Sequence, residues 1–149
     1  RKPRPPKEHI FDRLMIERTI VGSLVMGTTG FLAFKWMLSQ GWSESESRNA
    51  LLLLMVLFEN FHVGNCRSET KSAFRLSPFR SPILLSGALV ALAVHVVALH
   101  LPVTQKVLEI GPVPWMDVVW IASLAFLIVP AMELHKIWWA RFTNQKLRV

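Results

Sequence analysis

Four predominantly apolar stretches, each near the length needed to cross a bilayer, follow one another at about 19–38, 49–66, 82–101 and 115–139. Any one of them could be a buried helix of a water-soluble protein. Four in series, joined by short connections, leave too little polar surface to clothe a soluble fold. The composition agrees: 52% of residues are hydrophobic, 18% are charged and mean hydropathy is +0.36. A soluble domain is nearer about one quarter charged. The expected fold class is therefore all-α integral membrane, with four transmembrane helices in a single domain spanning residues 1–149. A net charge of +7 could point to nucleic acid, but the basic residues lie between apolar runs and form no basic face on a soluble fold. Nucleic acid is therefore not an expected partner. Cys66 is the only cysteine, which excludes an intrachain disulfide and a cysteine-rich metal framework.

The opening RKPRPPKEH is basic and Pro-rich, and the apolar run after it is too long for a signal-peptide core. With no initiator Met, the chain reads as a piece of something larger. Lys and Arg set the expected orientation. Arg1, Lys2, Arg4, Lys7, Arg13 and Arg18 precede the first span; Arg67, Lys71, Arg75 and Arg80 follow the second; Lys136, Arg141, Lys146 and Arg148 close the chain. The other side has Lys35, Arg48 and Lys106. Both termini are thus expected in the cytoplasm, with residues 1–18 a basic cytoplasmic lead-in. SQGWSESESR and LPVTQKVLEIGPVP are then the external connections. Trp36, Trp42, Trp115, Trp138 and Trp139 fall near span ends, where indole prefers the headgroup region.

The second span contains the chemistry. A carboxylate inside a bilayer costs on the order of 2.5–3.5 kcal/mol on insertion scales, so Glu59 must meet other helices, water or a cation. Glu59, His62 and Cys66 stand at i, i+3 and i+7 and share one helix face. Asn60 lies 100° round and is expected to touch a different neighbour. Leu53, Leu54 and Leu57 on the opposite side suit lipid or an apolar helix. Glu59 can be read as a cation ligand or proton carrier, because carboxylate oxygens suit hard cations. It can equally be a carboxylate neutralised by an interhelical partner. His62 reads first as a packing residue, since a zinc site lacks local ligands.

Elsewhere the signals are structural. Ser23 and Gly27 form a small-xxx-small step that lets two helices approach closely. His95 and His100, five residues apart, do not share a face. Pro130 should kink the fourth span. Glu133 and Lys136, at i and i+3, are expected to form an interfacial ion pair, with ion passage the alternative. No phosphate-binding loop, HExxH or nucleophile elbow occurs, so no catalytic residue and no cofactor site is expected in this chain.

KPRPPKEHIFDRLMIERTIVGSLVMG resembles the cytoplasmic approach and seventh transmembrane helix of type II P-type cation ATPases. ENFHVGNCRSE is similar to the eighth helix and its exit. LSPFRSPILLSGALVALAVHVVALHLPVTQKVLEIGPVPWMDVVWIASLAFLIVPAMELHK resembles the ninth helix, a Pro-started external loop and the tenth helix. The resemblance covers nearly the whole chain in order. It implies the last four helices of a ten-helix pump whose parent uses ATP and Mg²⁺ through an aspartyl phosphate, in motifs outside this chain. Glu59 then matches an acidic position that gives a side-chain oxygen to a cation site. Ser23 and Gly27 match positions packed on the fifth helix, and Glu133 and Lys136 a structural region. Partners implied are the lipid bilayer, the remaining helices and cytoplasmic domains of the same pump, and the transported cation. SQGWSESESR is shorter than its counterpart in the animal sodium pump, where an accessory subunit docks, which favours a bacterial plasma-membrane pump. His62 stands where calcium pumps commonly have Asn, leaving the ion open. The rival readings are a stand-alone four-helix membrane protein acting as a regulatory or structural subunit, and a small secondary transporter or channel. The latter usually carries internal repeats, and the two span pairs show none.

Overall fold

The computed structural model describes residues 13–67, 72–75, 77, 79 and 81–146. Residues 1–12 of the basic lead-in, with Lys71, Arg80 and Arg148, lie outside the described residues. The described residues form α1 (Arg13–Ser39), α2 (Glu44–Cys66), a 3₁₀ turn (Ala73–Arg75), α3 (Pro82–His100), α4 (Pro102–Leu108), α5 (Trp115–Ala125) and α6 (Ile128–Lys146). Among the described residues four segments are long and apolar enough to cross a membrane: Arg13–Ser39, Glu44–Cys66, Pro82–His100 and Trp115–Phe142. No strand occurs among the described residues. The chain is an all-helical integral membrane segment.

Two differences from the sequence expectation have local causes. The first connection is not ten residues long. Ser43 caps α2 by accepting from the Glu46 N–H at 3.2 Å, and Glu46 Oε2 accepts from the Ser43 N–H at 2.8 Å. This reciprocal box starts the helix at Glu44 and turns SESESR into helix. What remains is a tight turn in which Gly41 adopts φ +85°, a conformation that side chains resist. The connection between the third and fourth spans contains the short helix α4. Glu109, at φ 53°, ends it in the left-handed region, and its carboxylate meets Arg48 of α2 at 3.2 Å.

The fourth span breaks as Pro130 demands. Proline has no N–H for the Phe126 carbonyl, four residues back, and its ring crowds that carbonyl. The helix opens at Phe126 and Leu127, where tighter bonds take over: Leu127 N–H to Leu124 O at 3.0 Å and Val129 N–H to Phe126 O at 2.9 Å. α5 and α6 are therefore two rods of one span.

α2 is the central rod. Its Ala50, Leu53, Leu54 and Phe58 are buried with Ala33 and Met37 of α1, Ile121 and Ala125 of α5, and Ile128 and Met132 of α6. In lipid this packing is driven by close van der Waals contact, because acyl chains are as apolar as leucine. The close approach of α1 and α2 occurs at Gly30. A Cβ there would lie 2.5 Å from Met55 Cε and 3.4 Å from Leu51 Cδ1. At one end of the bundle Trp120 receives Trp36 and Trp42 edge-on, with ring centroids 5.2 and 6.2 Å away, and donates to Asp117 Oδ1 at 3.3 Å. α3 is different: Leu99 is its one buried residue, and the rest of the helix is uncovered or half-covered by this chain.

Candidate functional site

The polar residues gather at the bundle end opposite the cluster of Trp36, Trp42 and Trp120, where α1 begins and α2 and α6 finish. Glu59 lies in the last third of α2 and is exposed, and among the described residues no hydrogen bond or ion pair holds its carboxylate. It acts electrostatically on His62 and Cys66, the other members of its expected face. The shared face is therefore real, but its three groups are not equally covered. His62 is half-buried; its ring sits over Gly22 of α1, 3.7 Å from where a Cβ would be. Its Nδ1 is buried with no hydrogen-bond partner. His62 and Cys66 line a cleft of about 260 Å³ with Leu14, Met15, Arg18 and Thr19 of α1.

The amide of Asn60 bonds within its own helix, donating to the Val56 carbonyl at 2.8 Å, one turn back on α2. A side-chain donor in apolar surroundings satisfies itself on the carbonyl at i−4 when no neighbour offers an acceptor. Leu53 and Leu54 do meet apolar helix surface, buried in the core.

Glu133 and Lys136 pair as their spacing predicts, Nζ to Oε1 at 2.8 Å, and their side chains are 14% and 4% exposed. Glu133 Oε1 also accepts from the Ala73 N–H at 3.0 Å. This pair therefore ties α6 to the connection between the second and third spans, a tertiary link that an i,i+3 spacing cannot reveal. Among the described residues the Ser23–Gly27 step makes no close helix contact at Gly27. Ser23 and Gly27 are exposed, and nothing lies within 4 Å of a Cβ built at Gly27. Within this segment Gly22 and Gly30 do the packing.

Three features escape sequence reading. Asn65 is buried at 1% exposure with both amide atoms unpartnered, while its carbonyl accepts from Arg18 Nη2 at 3.4 Å. Ser47 is fully buried with an unpartnered hydroxyl. Glu17 of α1 faces His135 of α6, Oε2 to Nε2 at 3.9 Å. Glu17 and His135 stand on different spans, so only the helix arrangement brings them together.

Among the described residues no group of three or more His, Cys, Asp or Glu side chains could hold a metal ion. Glu59 with His62 and Cys66 is thus no self-contained metal centre. What the arrangement offers is a membrane carboxylate left open on the outside of a packed bundle.

Known proteins resemble this chain along most of its length. The family described as "Cation transporting ATPase, C-terminus" matches residues 1–138. The "Probable cation-transporting ATPase F" of Mycobacterium tuberculosis is 27% identical over 132 residues, covering 87% of this chain and 15% of its own length. The "Calcium-transporting ATPase" of Bacillus subtilis is 28% identical over 141 residues, 91% of this chain and 16% of its own. The mouse "Calcium-transporting ATPase type 2C member 2" is 27% identical over 139 residues, 93% and 15% respectively. The chain thus spans 15–16% of the length of these relatives. With the family matched across nearly all of its residues, the chain belongs to the C-terminal segment family of cation-transporting ATPases.

Proposed function

We propose that this chain is the C-terminal membrane segment of an ATP-driven cation pump, in which Glu59 contributes a carboxylate oxygen to the cation pathway. The observation that carries this reading is the open Glu59 carboxylate, inside a membrane-length helix and unpaired among the described residues. A charge at that depth is tolerated when it faces other helices, water or an ion, and oxygen ligands suit hard cations. The uncovered Ser23 and Gly27 on α1 support a face reserved for another helix of the same pump. ATP and Mg²⁺ act in cytoplasmic domains outside this chain, and α1, α2, α5 and α6 brace the transport helices. The basic flanks support cytoplasmic termini. The four-residue turn at 40–43 and the mycobacterial and Bacillus relatives support a bacterial plasma membrane. Calcium, named in two of the relatives, is the first ion to test.

In the full pump, Glu59→Gln keeps the shape and removes the charge. Cation-stimulated ATPase activity should fall by roughly tenfold, the effect of one lost charge-assisted contact. Phosphorylation by inorganic phosphate, which does not require a loaded cation site, should persist. Unchanged cation dependence would reduce Glu59 to a packing residue.

A further inference from the structure

The first and last spans meet across a carboxylate and an imidazole. Glu17 of α1 turns Oε2 toward Nε2 of His135 on α6, 3.9 Å away, and neither atom has a hydrogen bond among the described residues. Their side chains are 23% and 6% exposed, so Glu17 is the solvent-side member. The seam around them is apolar. Ile20 and Val21 of α1 adjoin the pair with Leu134 and Trp138 of α6, and the Trp139 ring stacks 6.5 Å from the imidazole. An electrostatic contact in such surroundings is stronger than the same contact in water.

Histidine is the side chain whose charge changes near neutral pH. The contact is an ion pair only while both ring nitrogens carry protons. A neutral ring offers Oε2 an uncharged N–H at most, and a charge-assisted bond is about twice as strong. The neighbouring charges leave this dependence in place. On α1, Arg13 Nε holds the other Glu17 oxygen, Oε1, at 2.7 Å, and Arg18 also acts on His135. On α6, Lys136 is paired with Glu133 at 2.8 Å. On α2 the titratable groups of this end are Glu59, His62 and Cys66, and Arg18 and Lys136 act on the latter two. Arg67, at the end of α2, donates to the Ser77 carbonyl. Among the described residues Glu17 is the one carboxylate that faces His135.

We infer that Glu17 and His135 form a proton-sensitive latch between α1 and α6. With the ring protonated, Nε2–H draws on Oε2 and holds the two spans together where α1 begins and α6 finishes. When the proton leaves, a carboxylate faces a neutral ring and the seam loosens. The proton comes from solvent on the Glu17 side and adds to the ring, and no other bond changes. The sign follows from the charges: the contribution of the pair is fully present below the titration of the ring and is lost as pH rises through it. The latch thus couples the acidity of one compartment to the packing of the first and last spans. It requires the α1–α6 seam alone and is independent of any role for Glu59 in transport.

The test is hydrogen exchange of the full-length protein in nanodiscs, followed at the amides of residues 17–21 and corrected for the intrinsic effect of pH on exchange. Protection in the unaltered protein should fall about tenfold between about pH 5.5 and about pH 8.5, a range that brackets histidine titration. Glu17→Gln and His135→Phe should each abolish that dependence, because either removes one member of the pair. His135→Lys keeps a cation opposite Glu17 across the range, and its protection should be the same at both ends. Protection that does not change with pH in the unaltered protein would overturn the latch, as would a dependence that survives Glu17→Gln. Should Glu17→Gln or His135→Phe fail to fold, His135→Lys decides: a pH dependence equal to that of the unaltered protein refutes the assignment.

Discussion

Glu59, Glu133 and Glu17 are three carboxylates of one bundle end with three different solutions to the same electrostatic problem. Glu133 is compensated within the chain by Lys136 and the Ala73 N–H; Glu17 is half-compensated by Arg13; Glu59 is left open. A buried pair is costly to break one side at a time, because the surviving charge keeps its desolvation penalty and loses its partner. Lys136→Met should therefore destabilise the protein by about 3 kcal/mol. The double variant with Glu133→Gln should recover part of that loss, since Glu133 then no longer keeps an unpaired charge. Denaturant unfolding in micelles measures both, and a double variant no better than the single one would contradict the pairing. Residue identity and spacing were enough to foresee this pair, because i and i+3 meet on any helix. The link from Glu133 to Ala73 was not foreseeable, because it depends on how the connection folds back.

At the level of helices, the pattern of apolar runs placed all four spans, and Pro130 placed the break in the last. Boundaries failed where a local device outweighed hydropathy. The Ser43–Glu46 box extended α2 into a stretch whose two glutamates read as loop. Which small residues pack was also not legible, since Gly22, Ser23, Gly27 and Gly30 are equivalent by composition and differ only in which side the neighbouring helix takes. The structure makes this difference measurable. Gly30→Val should cost about 1–3 kcal/mol by overpacking the α1–α2 contact, while Gly30→Ala should be mild because the flexible Met55 terminus can yield. Gly27→Ala should leave the packing of the four spans intact. If Gly27→Ala nevertheless destabilises the full protein in a thermal melt, that face is covered by a helix beyond this chain. If Gly30→Val is neutral, the close approach of α1 and α2 is not as described.

For the whole molecule, the uncovered surfaces are as informative as the core. α3 is barely buried, and Ser23, Gly27 and Glu59 are exposed among the described residues, which suits four helices taken from a larger membrane assembly. Family membership across residues 1–138 fits that picture. The proposed topology can be read from the lone, exposed Cys66 at the end of α2. In intact cells an impermeant maleimide should leave Cys66 unmodified, whereas inside-out vesicles should allow its labelling, as judged by peptide mass mapping. Labelling from outside would invert the topology. The central claim is that the Glu59 carboxylate is completed by a transported ion. A hydrophobic carbodiimide modifies carboxyl groups within membranes, and mass spectrometry of the full-length pump can quantify its adduct at Glu59 with and without calcium. The account predicts strong labelling in cation-free buffer and marked protection when the ion is present. Equal labelling in both, under conditions where the ion stimulates ATP hydrolysis, would contradict it.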